Sequence, residues 1–162
     1  VEVVQSQNTR SPLIRTNSDT HLARISEGQC SCFRPFPEEL IVFKEEGYKL
    51  MGAAFEVYNQ LGYGMAEEIY QQSLEIELTL RGVPFRSKPE LAVFYKGRQL
   101  GTAYKPDLFS YDGIVVELKA VCELVSDHEA QLFNYLRIAR HHVGYLINFG
   151  RKGELEWKRF IN

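Results

Sequence analysis

A glutamate and a lysine lie two residues apart within an apolar segment of the chain. The segment reads GIVVELKAV over residues 113–121, and Glu117 and Lys119 are its charged residues. The surrounding residues predict a strand buried on both faces, on which residues two apart point to the same face. A charge at such a place is costly unless it is paired, hydrated or bound to a metal ion.

Asp107 lies at the start of the other arm of a predicted hairpin, in the stretch YKPDLF. Asp112-Gly113 predicts the turn, and antiparallel arms place the start of one opposite the end of the next. We therefore expect Asp107 to meet Glu117 and Lys119 at one end of the sheet. Two carboxylates and a lysine suit Mg²⁺-assisted hydrolysis of phosphodiesters, because Mg²⁺ prefers oxygen ligands and a lysine can stabilise the transition state. A structural salt bridge is the equal alternative.

A further carboxylate lies on an apolar helical face before these strands. Glu67 shares that face with Tyr70, Leu74 and Leu78 in the stretch GMAEEIYQQSLEIEL. Its position in the first helical turn, where the helix dipole favours an acid, is the competing explanation.

Polar residues also share one face of the helix predicted in SDHEAQLFNYLRIARHH, which starts with the capping pair Ser126 and Glu129. His128, Gln131 and Tyr135 lie on that face, and Leu132 and Leu136 lie on the adjoining face that we expect to pack on the sheet. Gln and Tyr side chains can hydrogen-bond phosphate, base edges or metal-binding carboxylates. An ordinary half-buried helix edge is the alternative, and for His128 a helix-start role is favoured over a metal ligand.

The remaining patterns predict one mixed sheet with helices packed on it, in the element order α-α-β-β-β-β-α-β-β. We expect residues 1–36 to be a flexible extension and residues 37–162 to form a single domain. The net charge of -2 shows no global basicity, and the three cysteines have no disulfide spacing. No apolar run reaches membrane-spanning length, so we expect a cytoplasmic protein without membrane contact.

The residues at the predicted sheet end resemble the signature of the PD-(D/E)XK nucleases. Asp107 followed by Glu117-Leu118-Lys119 is similar to that signature, and KPD at 105–107 keeps its Pro-Asp pair. Gln131-x-x-x-Tyr135 resembles the additional QxxxY motif of the RecB-type branch.

A second motif lies in the helix before the strands. Gly64, Glu67 and Tyr70 match the Gly-x-x-Glu-x-x-Tyr pattern that gives the bacterial GxxExxY proteins their name. The resemblance covers about residues 45–161.

The resemblance implies a restriction-endonuclease-like α/β fold, with an α-β-β-β-α-β core whose mixed sheet is flanked by helices. It implies that Asp107 and Glu117 bind Mg²⁺ or Mn²⁺, that Lys119 assists the attacking water, and that Glu67 joins or orders the metal site. The supporting or nucleic-acid-binding residues would then be Tyr70, Gln131 and Tyr135.

The function that follows from the resemblance is a metal-dependent deoxyribonuclease, with repair, recombination or defence against foreign DNA as candidate settings. DNA is the expected partner, and a protein partner or a homo-oligomer is also open. The alternative is a weakly active or inactive module that binds nucleic acid or a protein on the same fold.

We expect a chain that begins at Pro37 to fold without the extension. Its melting temperature should lie within about 4 °C of the full chain, the shift that ~1 kcal/mol produces in a domain of this size. A thermal melt followed by circular dichroism measures this, and a much larger loss would show that the extension packs on the domain.

Overall fold

The computed structural model describes residues 2–5 and 43–161 of the chain. This part contains three helices, α1 (Lys44–Leu61), α2 (Glu67–Leu80) and α3 (Ser126–Ala139). No helix in these ranges is long and apolar enough to span a membrane. The same ranges contain eight strands: β1 (Glu2–Gln5), β2 (Phe85–Ser87), β3 (Leu91–Tyr95), β4 (Arg98–Tyr104), β5 (Leu108–Ser110), β6 (Ile114–Lys119), β7 (Val143–Asn148) and β8 (Glu156–Ile161).

Six of these strands form one mixed sheet in the order β1-β8-β7-β6-β5-β2. The central pair, β6 and β7, is parallel and is connected through α3, while the other neighbours are antiparallel. The β3–β4 hairpin forms a separate two-stranded sheet. The path α2-β2-β5-β6-α3-β7 is the expected α-β-β-β-α-β core, so the predicted fold class is confirmed.

Helices cover both faces of the sheet, which is why β6 is buried along its length. One core lies between the sheet and α1 and α2, and Val116 and Leu118 of β6 point into it. The second core lies under α3 and contains Phe109 and Val115. Strand alternation therefore places Asp107, Glu117 and Lys119 on the α3 face.

The predicted element order was wrong in its number of strands. Five strands, not four, lie between α2 and α3, because the β3–β4 hairpin is inserted between β2 and β5. Near the N-terminus, residues 2–5 form β1, which pairs with the edge strand β8. This strand was not predicted, and the expectation of a flexible extension over residues 1–36 does not hold for these four residues. The rest of the expected extension, residues 6–36, lies outside the described residues.

Two local details add to the predictions. The β5–β6 turn lies at Asp112-Gly113 as predicted, with Tyr111 and Asp112 as its left-handed residues. Gly113 itself is needed because a Cβ there would lie 2.1 Å from the Phe43 ring. The α3 N-cap is Val125, whose backbone N–H donates to Nδ1 of His128 over 3.2 Å. His128 therefore has the helix-start role that was favoured for it, whereas the predicted capping pair of Ser126 and Glu129 was wrong.

Gly150 allows the chain segments that leave β6 and β7 to come into close contact. A Cβ at this position would lie 2.4 Å from the backbone nitrogen of Val121. Gly150→Ala should therefore destabilise the protein by about 1–3 kcal/mol through overpacking.

Gly101→Ala is the matched control, because no atom lies within 4 Å of its added Cβ and its backbone is not left-handed. Its free energy of unfolding should stay within about 0.5 kcal/mol of wild type. Urea unfolding of both variants measures the difference, and equal stabilities would contradict this account of Gly150.

Candidate active site

The β5–β6 hairpin brings Asp107 and Glu117 together. Leu108 pairs with Val116 across the antiparallel ladder, so the preceding Asp107 lies opposite Glu117. Oδ2 of Asp107 also accepts the backbone N–H of Leu118 over 2.7 Å. This hydrogen bond holds the Asp107 side chain at the end of β6, as the hairpin register predicts.

Glu117 and Lys119 form a buried ion pair. Nζ of Lys119 lies 2.6 Å from Oε1 of Glu117, and their side chains are 12% and 3% exposed. The second carboxylate oxygen of Glu117, Oε2, is buried without a hydrogen-bond partner among the described residues. A buried oxygen of this kind is costly for folding unless a ligand completes its contacts.

Burial and like charge make both carboxyl groups hard to ionise. Burial raises the pKa of Glu117 from 4.5 to about 7, with the Asp107 charge adding to the rise and Lys119 opposing it. Burial also raises the pKa of Asp107, although the Leu118 N–H and the Lys119 ammonium act in the opposite direction. The carboxyl pair therefore favours a proton or an additional cation.

Lys119 remains a cation at neutral pH. Burial disfavours its charge, but the hydrogen bond and the charge of Glu117 outweigh burial, and the pKa of Lys119 is raised above 10.5. A lysine in this state can donate hydrogen bonds and stabilise negative charge, but it is not a base that removes a proton from water.

Glu67 lies near these three residues at the start of α2. It is exposed, and its charge adds to the rise in the pKa of Asp107, Glu117 and Lys119. Within residues 2–5 and 43–161, however, no group of three Asp, Glu, His or Cys side chains is arranged to hold a metal ion. Glu67 thus borders the carboxyl pair without forming a three-carboxylate cage with it.

Gln131 and Tyr135 approach the same place from α3. Nε2 of Gln131 donates to the Tyr135 hydroxyl over 2.9 Å. Burial raises the pKa of Tyr135, and the charges of Glu117 and Asp107 raise it further, which places the phenol near both carboxyl groups.

The two leucines on the adjoining face of α3 pack on the sheet as predicted. Leu132 and Leu136 are fully buried, and a Cβ added to Gly144 of β7 would lie 3.1 Å from each of them. Tyr135 is buried in the same core as the two leucines, and its phenol lies near the carboxyl pair.

The comparison with protein families decides what this arrangement is related to. The family model for the PD-(D/E)XK nuclease superfamily matches residues 44–160 of the chain. The chain belongs to the PD-(D/E)XK nuclease superfamily. No curated protein and no solved structure gives a significant match. Members of this superfamily are generally nucleases, so nucleic acid is the substrate class that membership implies.

The donor set fits the divalent cation that PD-(D/E)XK nucleases usually use. Mg²⁺ is typically held by one or two carboxylates, with water and substrate phosphate completing its shell. Asp107 and Glu117 supply two carboxylates, and Oε2 of Glu117 is the buried oxygen without a partner in the described ranges. A cation there would satisfy this oxygen and relieve the repulsion between the two groups.

Tyr70 has a structural position in this PD-(D/E)XK domain. It is fully buried and stacks on Phe149 with ring centroids 4.7 Å apart. Its hydroxyl donates to the Gly62 carbonyl over 2.8 Å and accepts the Met65 N–H over 3.1 Å. Tyr70 therefore holds the loop before Glu67, and direct contact with nucleic acid, one of its predicted roles, does not fit its burial.

Two buried amides that were missed at the sequence level position the carboxyl pair. Nε2 of Gln71 lies 3.4 Å from the backbone oxygen of Asp107. Oδ1 of Asn148, which pairs with Lys119 across β6 and β7, accepts the N–H groups of Val121 and Gly150 over 3.0 Å. Gln71 could have been noticed as a polar residue on the buried face with Leu74 and Leu78, whereas Asn148 carries no local signal.

Glu117→Gln should stabilise the metal-free protein at alkaline pH. A carboxyl group with a raised folded-state pKa contributes stability that is complete below its unfolded pKa and is lost as pH rises through the folded value, here from 4.5 to about 7. At about pH 8 the variant should exceed wild type by ~1–3 kcal/mol, because it lacks the buried charge.

The stability difference should shrink at about pH 4, where Glu117 of the wild type is protonated. Glu123→Gln, at an exposed position, is the control and should leave the free energy of unfolding unchanged at both pH values. Chemical unfolding with a chelator present measures it, and a Glu117→Gln variant less stable than wild type at alkaline pH would contradict the account.

Proposed function

We propose that the protein is a Mg²⁺- or Mn²⁺-dependent nuclease that hydrolyses phosphodiester bonds in DNA. Superfamily membership supports the reaction class. The observation that carries the proposal is the buried oxygen Oε2 of Glu117, which has no partner in the described part of the chain and lies beside a second carboxylate. In a site with only a structural role, a buried carboxylate oxygen of this kind would be expected to have a hydrogen-bond partner or to be replaced by an apolar group.

Asp107 and Glu117 are the proposed metal ligands. When bound, the cation neutralises charge on the phosphate and lowers the pKa of a water molecule. The Leu118 N–H and the Lys119 ammonium position the two carboxylates before the cation binds.

Lys119 is the proposed catalytic cation. Its ammonium group lies beside Glu117, is largely shielded from solvent and stays charged, so it can hydrogen-bond the attacking water or the phosphate oxygens as negative charge develops.

Glu67, on the exposed side of the site, would order the metal or its water ligands. Gln131 and Tyr135 would support the carboxylates or contact the nucleic acid from α3.

The pattern of Gly64, Glu67 and Tyr70 supports placement of the chain among the GxxExxY proteins, and Gln131 with Tyr135 supports the RecB-type branch. DNA repair, recombination and defence against foreign DNA are settings in which a cytoplasmic enzyme of this kind would act. A protein partner or a homo-oligomer would add to the DNA affinity of a chain whose net charge is -2.

One contact favours a second function, a module on the same fold that binds nucleic acid or a protein without cleaving. The ammonium of Lys119 lies 2.6 Å from Glu117, so a closed salt bridge exists between the two proposed catalytic groups. If this salt bridge does not open to admit a metal ion and the substrate, the protein can still bind nucleic acid or a protein but cannot cleave phosphodiester bonds.

A cleavage assay tests the proposal. The purified protein with Mg²⁺ or Mn²⁺ is incubated with linear, circular, single-stranded and double-stranded DNA and with RNA. We expect metal-dependent cleavage that Glu117→Gln abolishes and that Lys119→Met lowers by about 10²–10³-fold, the usual effect of removing one donor to the transition state. Lys49→Met, a change at an exposed lysine of α1, is the control and should retain full activity.

Calorimetric titration with Mn²⁺ separates the role of Glu117 as a metal ligand from the role of Lys119 as a catalytic cation. Lys119→Met should still bind Mn²⁺ and gain thermal stability from it, because binding to the native state stabilises by mass action and the lysine is not a ligand. Glu117→Gln should lose both effects. A wild-type protein that neither binds Mn²⁺ nor cuts any substrate would favour the binding module.

A further inference from the structure

A groove lies between the β3–β4 hairpin and the C-terminal half of α3, beside the proposed catalytic residues. Its volume is about 410 Å³, which is within the range of ligand-binding sites. Phe94 and Tyr104 of the hairpin line one wall, and Arg137 and Arg140 of the α3 end line the other. None of these residues has a part in the proposed chemistry.

The walls of this groove are basic although the whole chain is slightly acidic. The hairpin, residues 91–104, contains Lys96 and Arg98 and no Asp or Glu, and residues 130–142 contain Arg137 and Arg140 and again no acid. Arg137 donates to Oδ1 of Asn134. Among the residues that the structure describes, neither Arg137 nor Arg140 has a carboxylate partner. Unneutralised guanidinium groups in a groove favour a polyanion.

Exposed aromatic rings lie among these cations. The exposed fraction is 63% for Phe94 and 40% for Tyr104, values at which a ring adds little to the core. The register of the hairpin shifts between Ala92 and Phe94, and an irregularity of this kind re-aims side chains. Rings beside cations are the combination with which proteins stack the bases of single strands, whereas the phosphates of a duplex require cations alone.

Two packed rings connect the wall of the groove to the neighbourhood of the carboxyl pair. The Tyr104 ring packs edge-on against Tyr135 with centroids 5.7 Å apart, and Tyr135 is close enough to Glu117 and Asp107 for their charges to raise its pKa. Along the chain, two residues separate Tyr104 from Asp107. A strand held in the groove would therefore pass close to the site.

We infer that this groove binds a single-stranded nucleic acid segment, with bases stacked on Phe94 and Tyr104 and phosphates on Arg137 and Arg140. The inference rests on the proposed function, because it names the form of substrate that the carboxyl pair receives: a single-stranded region, end or flap. The β3–β4 hairpin, which is inserted into the nuclease core, thus forms one side of the nucleic-acid-binding surface.

Fluorescence anisotropy tests the inference without cleavage, in the presence of a chelator. The probes are labelled oligothymidylate and oligouridylate of about 15 nucleotides, a length that spans one single-strand site, and a mixed-sequence duplex of equal length. Phe94→Ala should weaken binding of the single strands about fivefold or more and leave duplex binding within about twofold. Comparing the two single strands shows whether DNA or RNA is preferred.

Tyr48→Ala is the matched aromatic control, because Tyr48 is 65% exposed on α1, away from the groove. Arg137→Gln combined with Arg140→Gln should reduce the salt dependence of single-strand binding, whereas Lys44→Gln with Lys49→Gln should not. Thermal melts of all variants should match wild type, since every substituted residue except Phe94 and Tyr48 is a surface cation and those two rings are exposed.

The inference is overturned if wild type does not bind either single strand, if Phe94→Ala and Tyr48→Ala behave alike, or if Phe94→Ala weakens duplex binding equally. These outcomes are independent of the proposed chemistry. If the protein cleaves DNA in a metal-dependent way but its groove variants bind normally, the proposed nuclease activity stands and the single-strand site is rejected. If binding depends on the groove but nothing is cleaved, the single-strand site stands and the nuclease activity is rejected.

Discussion

The carboxylate of Glu117 is held inside the protein next to a second carboxylate by strand pairing on both sides of β6. β5 places Asp107 opposite it, and β7 pairs with the same strand in parallel. Glu117 is buried and Asp107 is half-buried, because helices cover both faces of the sheet. The pair therefore depends on nearby positive charge. Lys119 supplies one cation, but Oε2 of Glu117 is left without a partner in the described residues.

The surrounding structure keeps this unfavourable pair in place. Gln71 donates to the backbone oxygen of Asp107, Asn148 accepts the Val121 N–H, and Gly150 lets the ends of β6 and β7 approach. Tyr70 fixes the loop that leads to Glu67. Such support for a destabilising cluster is typical of functional sites, where stability is given up for a ligand that binds later. It also explains why buried polar residues occur beyond the motif itself.

Sequence reasoning predicted the mixed sheet, its covering helices and the meeting of Asp107 with Glu117, because strand alternation and hairpin register are local properties. It did not predict β1, whose pairing with β8 joins the two ends of the described chain. The turn at Asp112-Gly113 was predicted, but the close approach of the Phe43 ring to Gly113 was not, because that contact is tertiary. The predicted order contained one strand too few between α2 and α3, and it did not place the β3–β4 hairpin outside the main sheet, because nothing local distinguishes an inserted hairpin from strands of that sheet.

The positions of the cations were equally hard to predict. The low net charge gave no sign of a basic groove, since the acids that balance Arg137 and Arg140 in the total lie elsewhere in the fold. Glu67 was expected to join or order the metal site, and it lies at the border of the carboxyl pair without forming a group of three metal-binding side chains in the described residues. Its distance from the pair is a tertiary property that helical spacing does not contain.

Anomalous X-ray diffraction from crystals soaked in Mn²⁺ tests the central claim most directly. The account predicts one strong anomalous peak between Asp107 and Glu117, within metal–oxygen bonding distance of Oε2 of Glu117, with water completing the shell. Lys119 should remain beside the site without binding the metal. No peak at this position under saturating Mn²⁺, with Glu117 still closed on Lys119, would contradict the claim that the buried carboxyl pair is a metal site.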